Sequence, residues 1–149
     1  MKGRTIATVA LLGLLAGCAP STPATSTATV TVGTHQFQVQ VADTADEQRA
    51  GLSGRPEVPK GTGMLFTFAG RQERQVWMAD MQTRIDAAWI VDDQVLAIET
   101  LDPCTMTDQS KCPRWTSPGG VDALLEVPAG ALEGVQVGET VTIREDTPP

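Results

Sequence analysis

The stretch TVTVGTHQFQVQVAD, residues 29–43, determines the expected fold class because a hydrophobic residue occupies every second position of two runs. The hydrophobic positions are Val30, Val32, Phe37, Val39 and Val41. Alternation with a period of two is typical of strands that bury one face. Gly33-Thr34 separates the two runs, so the stretch predicts two strands joined by a tight turn.

Further short hydrophobic runs follow along the chain, with Gly, Pro or Asp clusters between them. They are residues 64–68, 75–79, 85–91, 95–101, 121–127 and 140–144. Asp92-Asp93, between two of these runs, predicts another tight hairpin. The whole pattern predicts an all-β fold, an antiparallel β-sandwich or barrel, in a single domain over residues 30–146.

One short helix is expected in TADEQRAGL, residues 44–52. Thr44 and Glu47 form a capping-box pattern, in which each side chain accepts a hydrogen bond from the other residue's backbone N–H. Gly51 or Gly54 can end the helix, which is therefore about two turns long.

The first eighteen residues indicate where the protein resides. Lys2 and Arg4 precede the apolar run IATVALLGLLAG (6–17), which is too short for a permanent membrane-spanning helix. The chain continues with Cys18, and LAGC looks like the lipobox of a bacterial lipoprotein signal. We expect residues 1–17 to be a signal peptide and Cys18 to carry a lipid that anchors the exported protein to the outer face of a bacterial membrane. An ordinary secretory signal with a chance cysteine is the alternative.

Residues 18–29 are expected to form the lipid anchor and a flexible tether. The segment APSTPATSTAT (19–29) contains Ala, Pro, Ser and Thr but no large apolar residue, so it cannot build a core. A tether of this kind lets a domain stand away from the membrane surface.

The two remaining cysteines, Cys104 and Cys112, bracket seven residues in PCTMTDQSKCP (103–113). Outside the cytoplasm, two cysteines in a polar, turn-rich stretch indicate a disulfide that closes a surface loop. Metal ligation is the alternative, but it needs more ligands, and the single histidine, His35, is distant in sequence. No metal site and no cofactor are therefore expected.

The chain is acidic, with a formal net charge of −7. An acidic surface repels phosphate backbones, so nucleic acid is not expected as a partner. The partners we expect are the membrane, through Cys18, and a small ligand, a glycan or another envelope protein.

Several motifs in the domain resemble a bacterial and archaeal family called domain of unknown function 192. They are Arg49 with GLSGR (51–55), Pro59, GMLF (63–66), WM (77–78), ID (85–86), LLEVPAG (124–130), Gly134 and VGETV (137–141). The resemblance implies an all-β, jelly-roll-like sandwich, often exported, with no established activity. The family usually follows its Trp-Met with a Lys-Asn-Thr-like triplet, where this chain has Asp80 in the middle position. Asp80 either alters a ligand contact or substitutes for Asn in a turn.

The segment QVWMADMQTRIDAAWIV (75–91) contains the first candidates for a binding surface. Trp77 and Met78 are expected to be core residues of a central strand. The alternative is that Trp77 or Trp89 forms the wall of a ligand pocket, with Asp80 beside it.

Asp86 and Glu126 are carboxylates inside apolar runs. A carboxylate in such a run must face solvent, pair with an arginine, accept backbone N–H bonds or lie in a site that raises its pKa. We expect a buried arginine–carboxylate pair that joins the helix to the sheet, and the available partners are Arg49, Arg55 and Arg84. The alternative is a carboxylate dyad for acid–base chemistry, such as glycoside cleavage, if the two groups are close in space. The ligand-binding candidates are Trp77, Asp80, Asp86, Glu126 and Arg49, and the catalytic candidates are Asp80, Asp86 and Glu126.

Other chemistries have less support in the sequence. Ser53 and Ser117 lack a G-x-S-x-G motif, and His35 lies in an expected turn, so a serine hydrolase is not predicted. A soft copper site is a further alternative. Its ligands would be Met64, Met78, Met81, Met106 and His35. The expected function is a non-catalytic binding or accessory module of the cell envelope, with an envelope hydrolase as the competing class.

Overall fold

A computed structural model of the protein describes residues 26–146. Within that range the chain forms nine strands and one α-helix. They are β1 (Thr27–Val32), β2 (His35–Ala42), α1 (Ala45–Ala50), β3 (Thr62–Gln72), β4 (Gln75–Trp77), β5 (Ile85–Val91), β6 (Gln94–Leu101), β7 (Arg114–Thr116), β8 (Val121–Pro128) and β9 (Val141–Glu145). The expected signal peptide, Cys18 and residues 19–25 of the expected tether lie outside the described residues.

Seven strands form one sheet in the order β6-β5-β8-β3-β2-β1-β9, and β4 and β7 form a separate two-stranded ribbon. The large sheet curls into a half-barrel, because Gln94 at the start of one edge strand bridges to Thr140, just before the other edge strand. The predicted all-β fold class is confirmed. All pairs in the sheet are antiparallel except β2 with β3, which is parallel.

The parallel pair requires a crossover, and helix α1 lies in it. The predicted capping box is present: the Thr44 side chain accepts from the backbone N–H of Glu47, and the Glu47 side chain accepts from the backbone N–H of Thr44 at 3.1 Å. The helix ends at Gly51, as predicted, with a φ of 49° that favours glycine. The hairpin turns at Gly33 and at Asp92-Asp93 are also confirmed by their left-handed backbone.

Each face of the half-barrel buries its own hydrophobic cluster, because successive residues of a strand point to opposite faces. The inner cluster includes residues of both edge strands and contains, among others, Val30, Val39, Leu65, Ala88, Leu125 and Val127. The outer cluster lies on the opposite face and contains, among others, Leu52, Phe66, Met78, Met81, Trp89 and Leu124. The β-sheet therefore buries apolar side chains on both faces, and its strands β5 and β8 are mainly apolar.

The early start of β1 and the presence of β7 were not expected. Strand β1 begins at Thr27, inside the segment expected as tether, because the backbone of residues 27–29 pairs with β2 and residues 28 and 29 also pair with β9. Its Thr-Ala-Thr composition lacks the large residues by which a strand is recognised, although Ala28 is fully buried. Strand β7 was not expected, since it has three residues and pairs only with β4.

The predicted disulfide between Cys104 and Cys112 is present, with the two Cα atoms 5.8 Å apart. The loop it closes supports the turn that follows β4: the Cys104 backbone N–H donates to the Met78 carbonyl, and the Asp80 backbone N–H donates to the Gln109 side chain. Among residues 26–146, no helix is long and apolar enough to cross a membrane.

Candidate functional site: a buried carboxyl in an aromatic cavity

Glu126 lies in the middle of the half-barrel, on the central strand β8. It pairs with Met64 of β3 on one side and with Ala87 of β5 on the other. Its neighbours Leu125 and Val127 belong to the inner cluster, so the Glu126 side chain points to the outer face. The strands approach closely here, since a Cβ on Gly63 would lie 2.2 Å from the Glu126 carbonyl oxygen. Glu126 as a whole residue is only 4% exposed.

The outer face encloses a cavity of about 530 Å³, and Glu126 is one of its lining residues. Cavities of this size accommodate small ligands. Helix α1 with the turn after it, strand β4 and the turn at 78–81 cover the sheet on this side. The large apolar side chains that form the walls are Phe66, Phe68, Trp77, Met78, Trp89 and Leu124.

Charged groups other than Glu126 lie at the mouth of the cavity. The other ionisable lining residues are Arg49, Glu73 and Arg74, of which Arg49 and Glu73 are exposed and Arg74 is half-buried. The Arg49 guanidinium forms an ion pair with Asp46. The Arg74 guanidinium lies 4.3 Å from the centroid of the Phe68 ring. Arg74 Nε is buried and has no hydrogen-bond partner among the described residues. The cavity lining therefore combines apolar walls with the Glu126 carboxyl, the partly buried Arg74 guanidinium and two exposed charged residues.

Burial raises the pKa of Glu126 to about 8, from an ordinary value of 4.5. Desolvation is the sole cause, since no described residue provides a hydrogen bond or a charge that shifts this group. The carboxyl is therefore mainly protonated and neutral at pH 7. A neutral carboxylic acid with no internal partner is a group that a ligand can reach by hydrogen bonding.

Asp86, the second candidate carboxylate, lies on the opposite face of the sheet. In the pairing of β5 with β8, Asp86 is opposite Val127, whereas Glu126 is opposite Ala87. Asp86 is 3% exposed and its carboxylate accepts hydrogen bonds from the Thr100 hydroxyl at 2.7 Å and the Leu132 backbone N–H at 3.1 Å. The hypothesis of an Asp86–Glu126 dyad is wrong, because one strand register places the two carboxyls on different faces.

The expected arginine partners of these carboxylates are also wrong. The Arg49 guanidinium binds Asp46, that of Arg84 binds Asp102 at 2.5 Å, and that of Arg55 donates to the Gln40 side chain. Asp86 is satisfied by neutral donors, since its position beside the β8–β9 loop brings a backbone N–H within reach. Arg49 remains near the site only as a residue of the cavity mouth.

Trp77 is less buried than expected, whereas Trp89 is fully buried. Trp77 is 36% exposed, lies on the ribbon and has the Arg114 guanidinium 4.2 Å from its ring centroid, so its assignment to the core of a central strand is wrong. Met78 is fully buried, as expected. Trp89 is also fully buried and donates from Nε1 to the Glu99 carboxylate at 3.0 Å. Trp77 and Trp89 both line the cavity, in agreement with the pocket-wall alternative.

Asp80 is exposed and does not line the cavity. Its φ is 58°, a left-handed conformation that Asn and Asp adopt more readily than other non-glycine residues. Its backbone carbonyl accepts from the Gly54 N–H at 2.8 Å. This geometry supports the interpretation of Asp80 as a turn residue.

The structure does not assemble the remaining candidate sites. Met64, Met78 and Met81 share the outer cluster, but Met106 is 46% exposed on the disulfide loop and His35 begins the inner hairpin strand β2. Residues 26–146 contain no group of three or more His, Cys, Asp and Glu that could hold a metal. Ser53 donates to the Ala79 carbonyl and Ser117 to the Gly119 carbonyl, and neither hydroxyl contacts His35.

Sequence reasoning missed Phe66, Phe68 and Arg74 as residues of the site. The motif GMLF identified Phe66 only as part of the family pattern, and alternation along β3 places Phe66 and Phe68 on the same face as Glu126. No signal in the sequence indicated that a two-stranded ribbon would cover that face.

Comparisons with known proteins agree with this fold. A protein of Sinorhizobium meliloti 1021, provisionally described as a transcription regulator, superposes with a TM-score of 0.69 at 23% identity, over 80% of this chain and 94% of that one. A protein of unknown function from Novosphingobium aromaticivorans DSM 12444 has a TM-score of 0.69 at 25% identity, over 85% of this chain and 91% of that one. No curated protein matches the sequence. The sequence profile of DUF192, described as uncharacterized ACR, matches residues 28–143, and the chain therefore belongs to this family.

Proposed function

We propose that this protein is a non-catalytic binding or accessory module of the bacterial cell envelope, and that it binds a small ligand in the cavity of the outer face. The observation that carries the proposal is the Glu126 carboxyl, which is buried, without an internal partner and part of the cavity lining. Burial of a polar group without a partner lowers stability, so the fold alone gives no reason for it. A ligand that completes the hydrogen bonding of Glu126 supplies the reason.

The surroundings of Glu126 also favour binding. Aromatic and aliphatic side chains form most of the interior, and polar groups lie at the mouth, as in many small-molecule sites. The disulfide loop fixes the turn that contributes Met78 and Met81 to the wall. A covalently braced wall keeps the cavity formed before a ligand arrives, which lowers the conformational cost of binding.

The proposal is tested by screening a library of small molecules against the protein by ligand-observed NMR. Ala50, the last residue of α1, is exposed and lines the cavity, so Ala50→Trp should block the mouth. Ala45, the first residue of the same helix, is exposed and does not line the cavity, so Ala45→Trp is the matched control. We expect compounds that bind the wild type and Ala45→Trp but not Ala50→Trp. A screen without such compounds would refute the binding function.

The envelope location is proposed from the sequence around Cys18. We predict that the mature protein incorporates a fatty-acid label and partitions into the detergent phase of a cell lysate. Cys18→Ser should remove the label, because the thioether can form only on a thiol. A label retained by Cys18→Ser would exclude lipidation at this residue. The acidic net charge of −7 remains an argument against a nucleic-acid partner.

Catalysis by Glu126 is the second candidate function, because a carboxyl with a pKa near neutrality suits a general acid. Asp86 faces away and Asp80 lies outside the cavity, so neither can assist. Glu73 is the other carboxylate among the lining residues, and it is exposed. Turnover of a bound compound that disappears in Glu126→Gln, while binding persists, would establish this function in place of the first.

A further inference from the structure

The chemistry of the Glu126 environment restricts what the cavity can bind. No described residue donates a hydrogen bond to the Glu126 carboxyl or shifts its pKa by charge, and this buried group lines the cavity among apolar side chains. A carboxyl that is removed from water and unpaired takes up a proton, because the charged form loses its hydration without compensation. The interior of the cavity therefore presents a neutral carboxylic acid.

A neutral carboxylic acid has a donor and an acceptor side by side: its O–H donates and its carbonyl oxygen accepts. The edge of a primary carboxamide or a lactam has the matching pair, a carbonyl oxygen that accepts and an N–H that donates. The two edges can form two parallel hydrogen bonds. An ammonium group lacks an acceptor and requires an ionised Glu126, and a carboxylate lacks a donor.

The cavity walls next to Glu126 suit a flat apolar body. Leu124 lies two residues before Glu126 on the same face of β8, and it pairs with Phe66 of β3 and with Trp89 of β5. Both aromatic side chains line the cavity with Glu126. Aromatic rings pack favourably against planar groups by stacking or edge-to-face contact.

We propose that the cavity takes a planar, apolar ligand that presents a neutral amide edge to the carboxyl of Glu126. This inference rests on the proposed binding function and names the class of ligand. The amide forms a two-point hydrogen-bonded pair with Glu126, the ring lies among Phe66, Trp89 and Leu124, and substituents extend to the polar mouth.

Four other charged residues lie around the cavity on the surrounding elements. Arg49 after the middle of α1, and Glu73 and Arg74 before β4, lie at the mouth. Glu99 of β6 and Glu126 of β8 both pair with Ala87 of β5, so both side chains lie on the outer face. The Glu99 carboxylate accepts a hydrogen bond from the Trp89 indole. None of these four groups perturbs the pKa of Glu126, so the pH dependence of binding reports Glu126 itself.

The test compares three probes of similar size: benzamide, benzylammonium and benzoate. The full chain is placed in lipid nanodiscs with its methionine methyl groups labelled with ¹³C. Met78 and Met81 line the cavity and report binding, whereas Met106 is exposed on the disulfide loop and serves as the internal reference. Empty nanodiscs measure partitioning of each probe into lipid.

We expect benzamide to shift the methyl signals of Met78 and Met81 with at least tenfold higher affinity than either charged probe at pH 7. Benzamide binding should weaken about tenfold between pH 7 and pH 9, because only the protonated Glu126 can donate and its pKa is about 8. Glu126→Gln keeps a donor and an acceptor on a side chain of the same shape. It should bind benzamide within about threefold of the wild type and lose the pH dependence.

Glu126→Leu provides the apolar control, and it should lose at least tenfold in benzamide affinity. The Met64 methyl signal, beside residue 126 in the β3–β8 pair, shows whether this variant is folded. If Glu126→Leu does not fold, the comparison of wild type with Glu126→Gln decides the question.

The outcomes separate the two proposals. Preference for benzylammonium, with loss of binding in Glu126→Gln, would overturn the amide assignment and leave the binding function intact. Preference for benzoate would do the same. If no probe shifts Met78 or Met81 at about 10 mM, where even millimolar affinities are visible, both the amide assignment and the accessible cavity are refuted.

Discussion

Replacing Glu126 by Gln should make the protein more stable at neutral and alkaline pH, by an amount that depends on pH. The folded state keeps the carboxyl protonated up to a pKa of about 8, whereas the ordinary value for the unfolded chain is 4.5. Below pH 4.5 both states are protonated and Glu126 contributes no pH dependence. Between these values the unfolded state releases a proton that the folded state retains, so stability falls as pH rises, and above about pH 8 the loss is complete.

The magnitude follows from the interval between the two pKa values. Each pH unit in this interval lowers the free energy of unfolding by about 1.4 kcal/mol, which gives about 5 kcal/mol over the interval. Gln has nearly the shape of protonated Glu and does not titrate. The stability of Glu126→Gln relative to wild type should therefore be near zero at pH 4.5, about 3 kcal/mol at pH 7 and about 5 kcal/mol above pH 8.

The assay is urea denaturation of the chain from Ala24 onward, at pH values from 4.5 to 9. The fluorescence of Trp89 reports unfolding, because this indole is fully buried in the outer cluster. Subtracting the wild-type curve from that of Glu126→Gln cancels the titration of all other groups that the two proteins share. The difference between the two free energies of unfolding isolates Glu126.

A difference that stays constant within about 1 kcal/mol from pH 5 to pH 8.5 would refute this reasoning. It would mean that the Glu126 carboxyl ionises near its ordinary pKa in the folded protein. Either water or a donor would then reach it, and the neutral acid on which the ligand assignment rests would not exist. A difference of the opposite sign would show that ionised Glu126 stabilises the fold.

Three further predictions concern other parts of the fold. Asp86→Asn should destabilise the protein by about 2–3 kcal/mol at pH 7, since the amide cannot serve both donors that the carboxylate now accepts from; an unchanged urea midpoint would contradict this. Replacing both Cys104 and Cys112 by Ala should lower the free energy of unfolding by about 2–3 kcal/mol, which thermal melting measures. Non-reducing peptide mapping of the wild type should find the two cysteines joined. Deleting residues 19–25 should leave the melting temperature unchanged. Deleting residues 19–29 should lower it clearly, because this deletion removes the first half of β1 with the buried Ala28. Equal melting temperatures for the two deletions would place the start of the folded domain at residue 30.

The strands were predictable because their signal is local. Residues 29–43 alternate because their strands bury one face, and the run 85–91 is continuously apolar because its strand is buried on both faces. Strand β5 has the predicted bounds of Ile85–Val91. The capping box at Thr44 and the hairpin at Asp92-Asp93 are local as well. The short ribbon strand β7 was not predictable, since its three residues are extended only through pairing with β4.

The buried carboxyls were predictable from the sequence, but their arrangement and the aromatic walls of the cavity were not. A carboxylate inside an apolar run is visible in the sequence, and both Asp86 and Glu126 are indeed buried. Whether they meet depends on the register of β5 against β8, and a shift of one residue exchanges the faces. Register is decided by the packing of whole strands, and a single sequence contains no direct record of it.

Asp86 and Glu126 are similarly buried but have opposite effects on the stability of the fold. Asp86 receives two donors from its surroundings, so its carboxylate joins β5 to β6 and to the β8–β9 loop and stabilises the fold. Glu126 receives none, although an apolar side chain at the same position would complete the outer cluster without a desolvation penalty. A group that weakens the fold and lines a cavity supports the proposed binding function. For this member of the DUF192 family, function is therefore to be sought at the carboxyl of Glu126, on the face of the sheet that the ribbon and the disulfide loop cover.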